Sequence, residues 1–163
     1  MKNLKYVALL LITIFSCNSQ VPHKFSEAAL NDTFKTLKGD NITLKDILNT
    51  QKGKTIVIDI WASWCSDCIK GMPKVKALQD AHPEAAYIFL SLDKTQDAWA
   101  RGIKKYNVQG EHYFMSSGKA SPFGAFVNID WIPRYMVVDS DGNIKLYKAI
   151  EADDKKIKQS LIK

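Results

Sequence analysis

Two strongly apolar segments, Thr55-Ile-Val-Ile-Asp-Ile-Trp-Ala62 and Ala86-Tyr-Ile-Phe-Leu-Ser-Leu92, stand apart by a stretch long enough for one helix. They are rich in β-branched and aromatic residues and apolar on both faces. That is the pattern of central strands buried on both sides, as in sheets covered by helices. Between them Ile69, Met72, Val75, Ala77 and Leu78 recur close to helical spacing up to Ala81, with Pro73 expected to kink the helix or interrupt it. Asp93 follows the second strand, and a further helix is predicted from Gln96 to Tyr106. Alternating strands and helices imply an α/β fold with parallel strands joined by right-handed crossovers.

The flanks add antiparallel pieces, so the central sheet is expected to be mixed. Asp32 to Leu37 and Ile42 to Leu44 enclose Gly39-Asp40-Asn41, which is hairpin chemistry, and Thr43 can start a short helix through Leu48. Residues 107–128 show little pattern beyond a helix start at Ser121-Pro-Phe-Gly124 that continues through Ala125 to Asn128. Arg134 to Asp139 and Ile144 to Lys148 flank Ser140-Asp-Gly-Asn143 and read as a closing hairpin. Asp139-Ser-Asp141-Gly-Asn143 resembles a calcium loop only superficially, since the terminal glutamate is missing. Asp153 can cap a last helix from Asp154 to Ile162. Trp99, Phe123 and Trp131 fit either the core or a substrate-facing rim.

The N-terminus reads as an address. Lys2 and Lys5 precede the apolar run Tyr6–Phe15, and Ser16-Cys17 follows before the chain turns polar. This is the order of a secretory signal. The run is too short for a span that takes about twenty helical residues. Ile14-Phe15-Ser16-Cys17 resembles the lipobox of bacterial lipoproteins, with Phe15 as a departure, and the resemblance implies lipidation of Cys17. Plain secretion after cleavage near Ser19 is the alternative. The expected organisation is a signal peptide at 1–16, a tether at 17–30 and one domain at 31–163. At 163 residues the chain can bury a core without disulfide staples, so its three cysteines need another explanation. Loss of Lys2 and Lys5 with the signal lowers the formal charge from +6 to +4, and no Lys/Arg run exceeds two, which argues against nucleic-acid binding.

Cys65-Ser-Asp-Cys68 falls where a buried strand ends and a helix begins. On a first helical turn two cysteines three apart can close a disulfide. The first sits near free N–H groups and the positive end of the helix dipole, which favour the nucleophilic thiolate. Structural zinc would need two more ligands, and His23, His82 and His112 show no paired ligand spacing. A purely structural bridge over two residues would constrain the unfolded chain little. Copper handling and thiol peroxidase chemistry stay open, although the first would want wider cysteine spacing with a histidine near the site. The only candidate for that histidine is His112.

Asp59-Ile-Trp-Ala-Ser-Trp64-Cys65-Ser-Asp-Cys68, together with Pro73 and Ile132-Pro133, resembles the thioredoxin superfamily. Leu37 to Leu44 and Gly53-Lys54 are similar to its exported TlpA/ResA-like thiol-disulfide oxidoreductases of lipoprotein type. The resemblance covers roughly Asn31 to Lys163 and implies a three-layer α/β/α thioredoxin-like fold. It also implies Cys65 as attacking thiolate, Cys68 as resolving thiol, and a cis Pro133 after Ile132 that faces the cysteines, keeps backbone free for an extended peptide and excludes metal. Trp64 would form substrate surface. Asp59, if buried, would have a raised pKa suited to taking the Cys68 proton. Ser66-Asp67 departs from the family's Gly-Pro and Glu-Pro pairs; Asp67 opposes the helix dipole, which favours a disulfide reductase. No cofactor or metal is expected. The implied partners are disulfide-bearing exported proteins, a membrane thiol donor, and the membrane itself through the lipid, with the protein acting as a monomer in the periplasm or cell envelope.

Overall fold

A computed structural model of the chain describes residues 21–162. The expected signal segment and Cys17 lie outside the described residues. The elements are α1 (Glu27–Leu30), β1 (Thr33–Lys35), β2 (Asn41–Thr43), α2 (Leu44–Thr50), β3 (Ile56–Trp61), α3 (Ser66–Ala81) and β4 (Ala86–Ser91). They continue with α4 (Gln96–Tyr106), β5 (Glu111–Phe114), α5 (Pro122–Phe126), β6 (Arg134–Val138), β7 (Ile144–Ala149) and α6 (Lys155–Leu161).

Among the described residues one seven-stranded mixed sheet runs in the order β2-β1-β5-β4-β3-β6-β7. Every residue of β3 and β4 is buried, and the two strands pair in parallel from Ile56–Ala86 to Trp61–Ser91. β6 pairs antiparallel on the other edge of β3. Both edges of β3 are therefore occupied by hydrogen-bonded neighbours, so its C-terminal end, where the cysteines follow, is held from two sides. The β6–β7 hairpin turns as expected. The Asp139 carboxylate accepts from Asp141 N and Asn143 N at 3.0 and 2.8 Å, and Gly142 supplies the positive φ of 83°.

Four features differ from the sequence expectation. β5 fills the stretch that carried no pattern, pairing parallel with β4 and touching β1 at Lys35–Phe114. Of the two outcomes expected at Pro73, interruption does not occur: α3 runs on through it as one helix of 16 residues. Proline there removes one donor, and the burial of Cys68, Val75 and Leu78 keeps the helix against the sheet on either side of it. Asp154, not Asp153, caps α6, its side chain accepting from Lys156 N at 2.8 Å. The packed region also begins before Asn31. Phe25 is buried 5.5 Å from Phe126, Ala29 is fully covered, and Ile144 N donates to His23 O at 2.8 Å. Residues 23–30 thus lie on the domain, where a tether was expected.

α4 approaches the loop after β3 more closely than a side chain would allow. A Cβ at Gly102 would fall 2.4 Å from Ser63 Cβ. Glycine here is a requirement of contact. Gly102→Ala is expected to push α4 off the 62–64 loop and cost about 1–3 kcal/mol, the usual penalty of overpacking. Urea unfolding of the oxidised protein checks this, with an unchanged midpoint contradicting the close approach.

Candidate active site

β3 leaves the sheet at Trp61 and the chain is caught at once. Leu92 N donates to Trp61 O at 2.8 Å, and Asp93, itself buried, takes hold of Ser63. Its carboxylate accepts from Ser63 N at 3.1 Å, from Ser63 Oγ at 2.6 Å and from Ser91 Oγ at 2.8 Å. Three donors on one carboxylate satisfy a charge that burial would otherwise penalise. Asp93 was not recognisable as a site residue from its type alone. The signal was its place, directly after a strand parallel to the one that feeds the cysteines, because parallel strands end on the same edge of a sheet.

Cys65 is the N-cap of α3, its Sγ accepting from Cys68 N at 3.1 Å. The two sulfurs are joined, with Cα atoms 5.3 Å apart. Cys65 is 6% exposed and Cys68 fully buried, so the first sulfur is the accessible one. Across from it the Ile132–Pro133 peptide is cis, and Ile132 O lies 3.7 Å from Cys65 Sγ. Trp64 and Trp131, each more than half exposed, stand on either side of a groove of about 350 Å³ lined also by Cys65, Lys119, Asp130 and Ile132. Trp99 and Phe123 are core residues. Asp67 lies in the first turn of α3 with its side chain half exposed, 3.7 Å from Lys70 Nζ.

The loop carrying Trp131 and Ile132 is tied from below by Arg134, which sequence reasoning passed over. This buried guanidinium donates through Nη2 to Asn128 O at 2.8 Å and to Asp130 Oδ1 at 3.1 Å. Lys148 Nζ reaches the other oxygen of Asp130 at 2.6 Å. Lys148 first, then Arg134, hold the Asp130 carboxyl well below the usual carboxylate range. A buried arginine directly after the cis proline was visible in the sequence only as one polar letter at a strand start.

Asp59 is buried in the middle of β3, and neither carboxyl oxygen has a hydrogen-bond partner in the protein. Burial alone pushes its pKa up to about 8. His112 does not face the cysteines from a free position. It sits on β5 with Nε2 bonded to Val108 O at 3.0 Å and its ring stacked on Phe89, and burial lowers its pKa. No group of three or more His, Cys, Asp or Glu among the described residues is arranged to hold a metal ion.

A helix-capping cysteine joined to a buried one thus faces a cis-proline loop. The model of a thioredoxin-like family matches residues 53–144. The thiol-disulfide oxidoreductase ResA of Bacillus cereus is 26% identical over 123 residues, covering 74% of this chain and 67% of that protein. Sporulation thiol-disulfide oxidoreductase A of Bacillus subtilis is 32% identical over 79 residues, 48% of this chain and 45% of that one. Among solved structures, a Bacteroides vulgatus protein assigned as a thiol-disulfide oxidoreductase superposes with a TM-score of 0.65 at 26% identity, covering 92% of this chain and 91% of its own. With more than half its length matched by the family model and the fold shared over nearly all of it, the chain belongs to the thioredoxin-like family.

Proposed function

We propose that this thiol–disulfide oxidoreductase works as a reductase of disulfides in exported proteins, with Cys65 attacking and Cys68 resolving. The observation that carries this is the pair itself: an accessible sulfur capping α3, bonded to one buried a turn further on. The Cys65 thiolate attacks one sulfur of the substrate disulfide and releases the other half as a thiol. Cys68 then gives up its proton, attacks Cys65 Sγ and frees the second half. Two electrons pass to the substrate and the Cys65–Cys68 disulfide remains. Asp59 would take the Cys68 proton, and its support is burial with a raised pKa. The Ile132 backbone and the two exposed tryptophans would hold an extended substrate segment beside Cys65, next to cis Pro133.

Two observations support the reducing direction. Burial of both sulfurs disfavours a charged one, and Asp67 adds a negative charge in the same helical turn, partly offset by Lys70. A poorly stabilised thiolate leaves the disulfide relatively stable, which is the property of a reductant. Re-reduction after each turnover then calls for a membrane thiol donor. The charged, apolar, small-residue order of residues 1–17 supports export to the cell envelope and a lipid on Cys17, and the protein would act as a monomer without a bound cofactor.

Equilibration of the oxidised protein with dithiothreitol buffers, read by tryptophan fluorescence, is expected to give a potential near or below about −250 mV; a value near −120 mV would make the protein an oxidant. Cys68→Ser is expected to accumulate the mixed disulfide with a substrate protein, visible as a mass adduct, and Cys65→Ser to form none.

Asp59 also predicts a pH dependence of stability. The oxidised fold holds this proton more tightly than the unfolded chain does, so Asp59 favours folding in acid. That contribution is withdrawn as pH rises from the ordinary carboxylate range towards about 8. Urea midpoints of oxidised wild type are therefore expected to fall relative to Asp59→Asn between pH 5 and pH 8. Parallel midpoints over that range would mean an ordinary Asp59 pKa.

A further inference from the structure

Asp59 has a neighbour in the same condition as itself. β3 and β6 are antiparallel with Asp59 directly opposite Tyr135, so the two side chains rise from the same face of the sheet. Tyr135 is 1% exposed, and its hydroxyl, like both Asp59 oxygens, has no hydrogen-bond partner in the protein. Buried polar groups are nearly always paired, and a buried tyrosine hydroxyl ordinarily finds an acceptor. Here one donor and one acceptor lie in adjacent places on paired strands, each lacking the group that the other supplies.

α3 covers this face, which ties the pair to the cysteines. A Cβ at Gly71 would meet the Tyr135 hydroxyl at 3.5 Å. Gly71 follows Cys68 by three residues and so lies on the same side of the helix. The phenol therefore reaches the turn of α3 next to the resolving cysteine. Beyond it lies a cavity of about 350 Å³ lined by Gly71, Lys74, Pro133, Tyr135 and Glu151. Lys74 and Glu151 are both substantially exposed, so this cavity meets solvent. Tyr135 thus stands between a buried carboxyl and an open cavity, one helical turn from Cys68.

We propose that Tyr135 is the positioning residue of Asp59: its hydroxyl donates to the Asp59 carboxylate through one water and connects it to the Gly71 cavity as the route by which the Cys68 proton leaves the core. This rests on Asp59 being the acceptor of that proton. The step balances. Cys68 S–H gives its proton to the carboxylate, the Cys68 thiolate forms the bond to Cys65 Sγ, and the substrate sulfur departs with the electron pair and is protonated by solvent. The Asp59 carboxyl then hands its proton through the Tyr135 hydroxyl to water in the cavity, which resets the carboxylate.

The surroundings keep Tyr135 a donor. Its pKa is raised by burial first and then by the negative charges of Asp59, Glu151 and Asp153. The charged or titratable groups around the pair are Cys68 and Lys74 on α3 and Glu151 and Asp153 after β7, with Lys74 Nζ bonded to both carboxylates. On the other side of Asp59, β4 presents Phe89, and His112 of β5 stands beyond it with its pKa lowered by burial.

Tyr135→Phe removes only the hydroxyl and keeps the ring that packs. In the oxidised full chain, the Asp59 carboxyl, followed by carbon-13 NMR and assigned with Asp59→Asn, is expected to titrate near 8 in Tyr135→Phe, where burial acts alone, and lower in wild type. In Tyr135→Phe the midpoint should rise by about one pH unit, a tenfold loss in ionisation. Resolution is read separately, in a Cys17→Ser background, as the second thionitrobenzoate released when reduced protein meets excess Ellman's reagent. This phase is unimolecular, and its pH profile is expected to move upward with the NMR midpoint. A purely structural tyrosine would move neither. If Asp59→Asn slows the second phase while Tyr135→Phe leaves midpoint and profile in place, Asp59 keeps its role and the Tyr135 proposal is overturned. If Asp59→Asn leaves the second phase unchanged, the acceptor role of Asp59 fails and the proposal falls with it.

Discussion

β3 is bonded to a strand on each edge and covered along all six residues, so the point at which it leaves the sheet has little freedom. Everything chemical in this molecule is measured from that point. Asp93 fixes Ser63 two residues beyond it, Gly102 lets α4 close over the same loop, and Cys65 then caps α3. A loop of three residues between a buried strand and a helix would otherwise be the most mobile place on the sheet edge. Here the Ser63 N–H and hydroxyl are both bonded to Asp93, and the Cys65 N–H closes back on Ala62 O. The reactive sulfur is therefore positioned by packing of the strand and by one buried carboxylate, and the opposing wall by another buried charge, Arg134.

The two carboxylates near the cysteines show what environment does to one chemical group. Asp93 is covered by donors, so its burial is compensated and it serves as a fastener. Asp59 is bonded directly to no donor of the protein, so its burial is paid in proton affinity instead. An apolar residue at this position of a fully buried strand would be more stable, and burying an acid there is a local violation of good packing. Such violations collect at working sites, and this one lies on the strand that delivers Cys65.

What could be read from the sequence was what is local or periodic. β3 and β4 announce themselves by composition, α3 by helical spacing, and the cysteine pair and Pro133 by motif. β5 was hidden because it has only four residues and begins with Glu111 and His112; its place comes from pairing with β4, not from a pattern of its own. The fasteners were hidden for a related reason. Ser63–Asp93 spans 30 residues of sequence and Asp32–Phe123 spans 91, and neither spacing has a periodicity to betray it. Phe25 reads as one aromatic in a polar run until Phe123 and Phe126 fold over it. Tyr135 could be placed on a strand, but its register opposite Asp59 exists only once β6 has paired with β3.

Magnitudes decide which feature of the site can set the direction of electron flow. A thioredoxin-like reductant and a strong oxidant differ by about 150 mV, roughly 7 kcal/mol for two electrons. A charge in the first turn of a helix, exposed to water, is worth about 0.3–1 kcal/mol, or on the order of 10–20 mV. Asp67, half exposed and near Lys70, belongs to that class and cannot span the interval. Burial can, because moving an ionised group out of water costs several kcal/mol even after relaxation. Cys68 is fully covered and Cys65 nearly so, and the Cys68 N–H at 3.1 Å returns only part of what the first sulfur loses as a thiolate. The reducing direction proposed for this pair therefore rests on how deeply α3 seats its first turn against β3 and the Ile132 loop, with Asp67 acting in the same direction as a smaller correction.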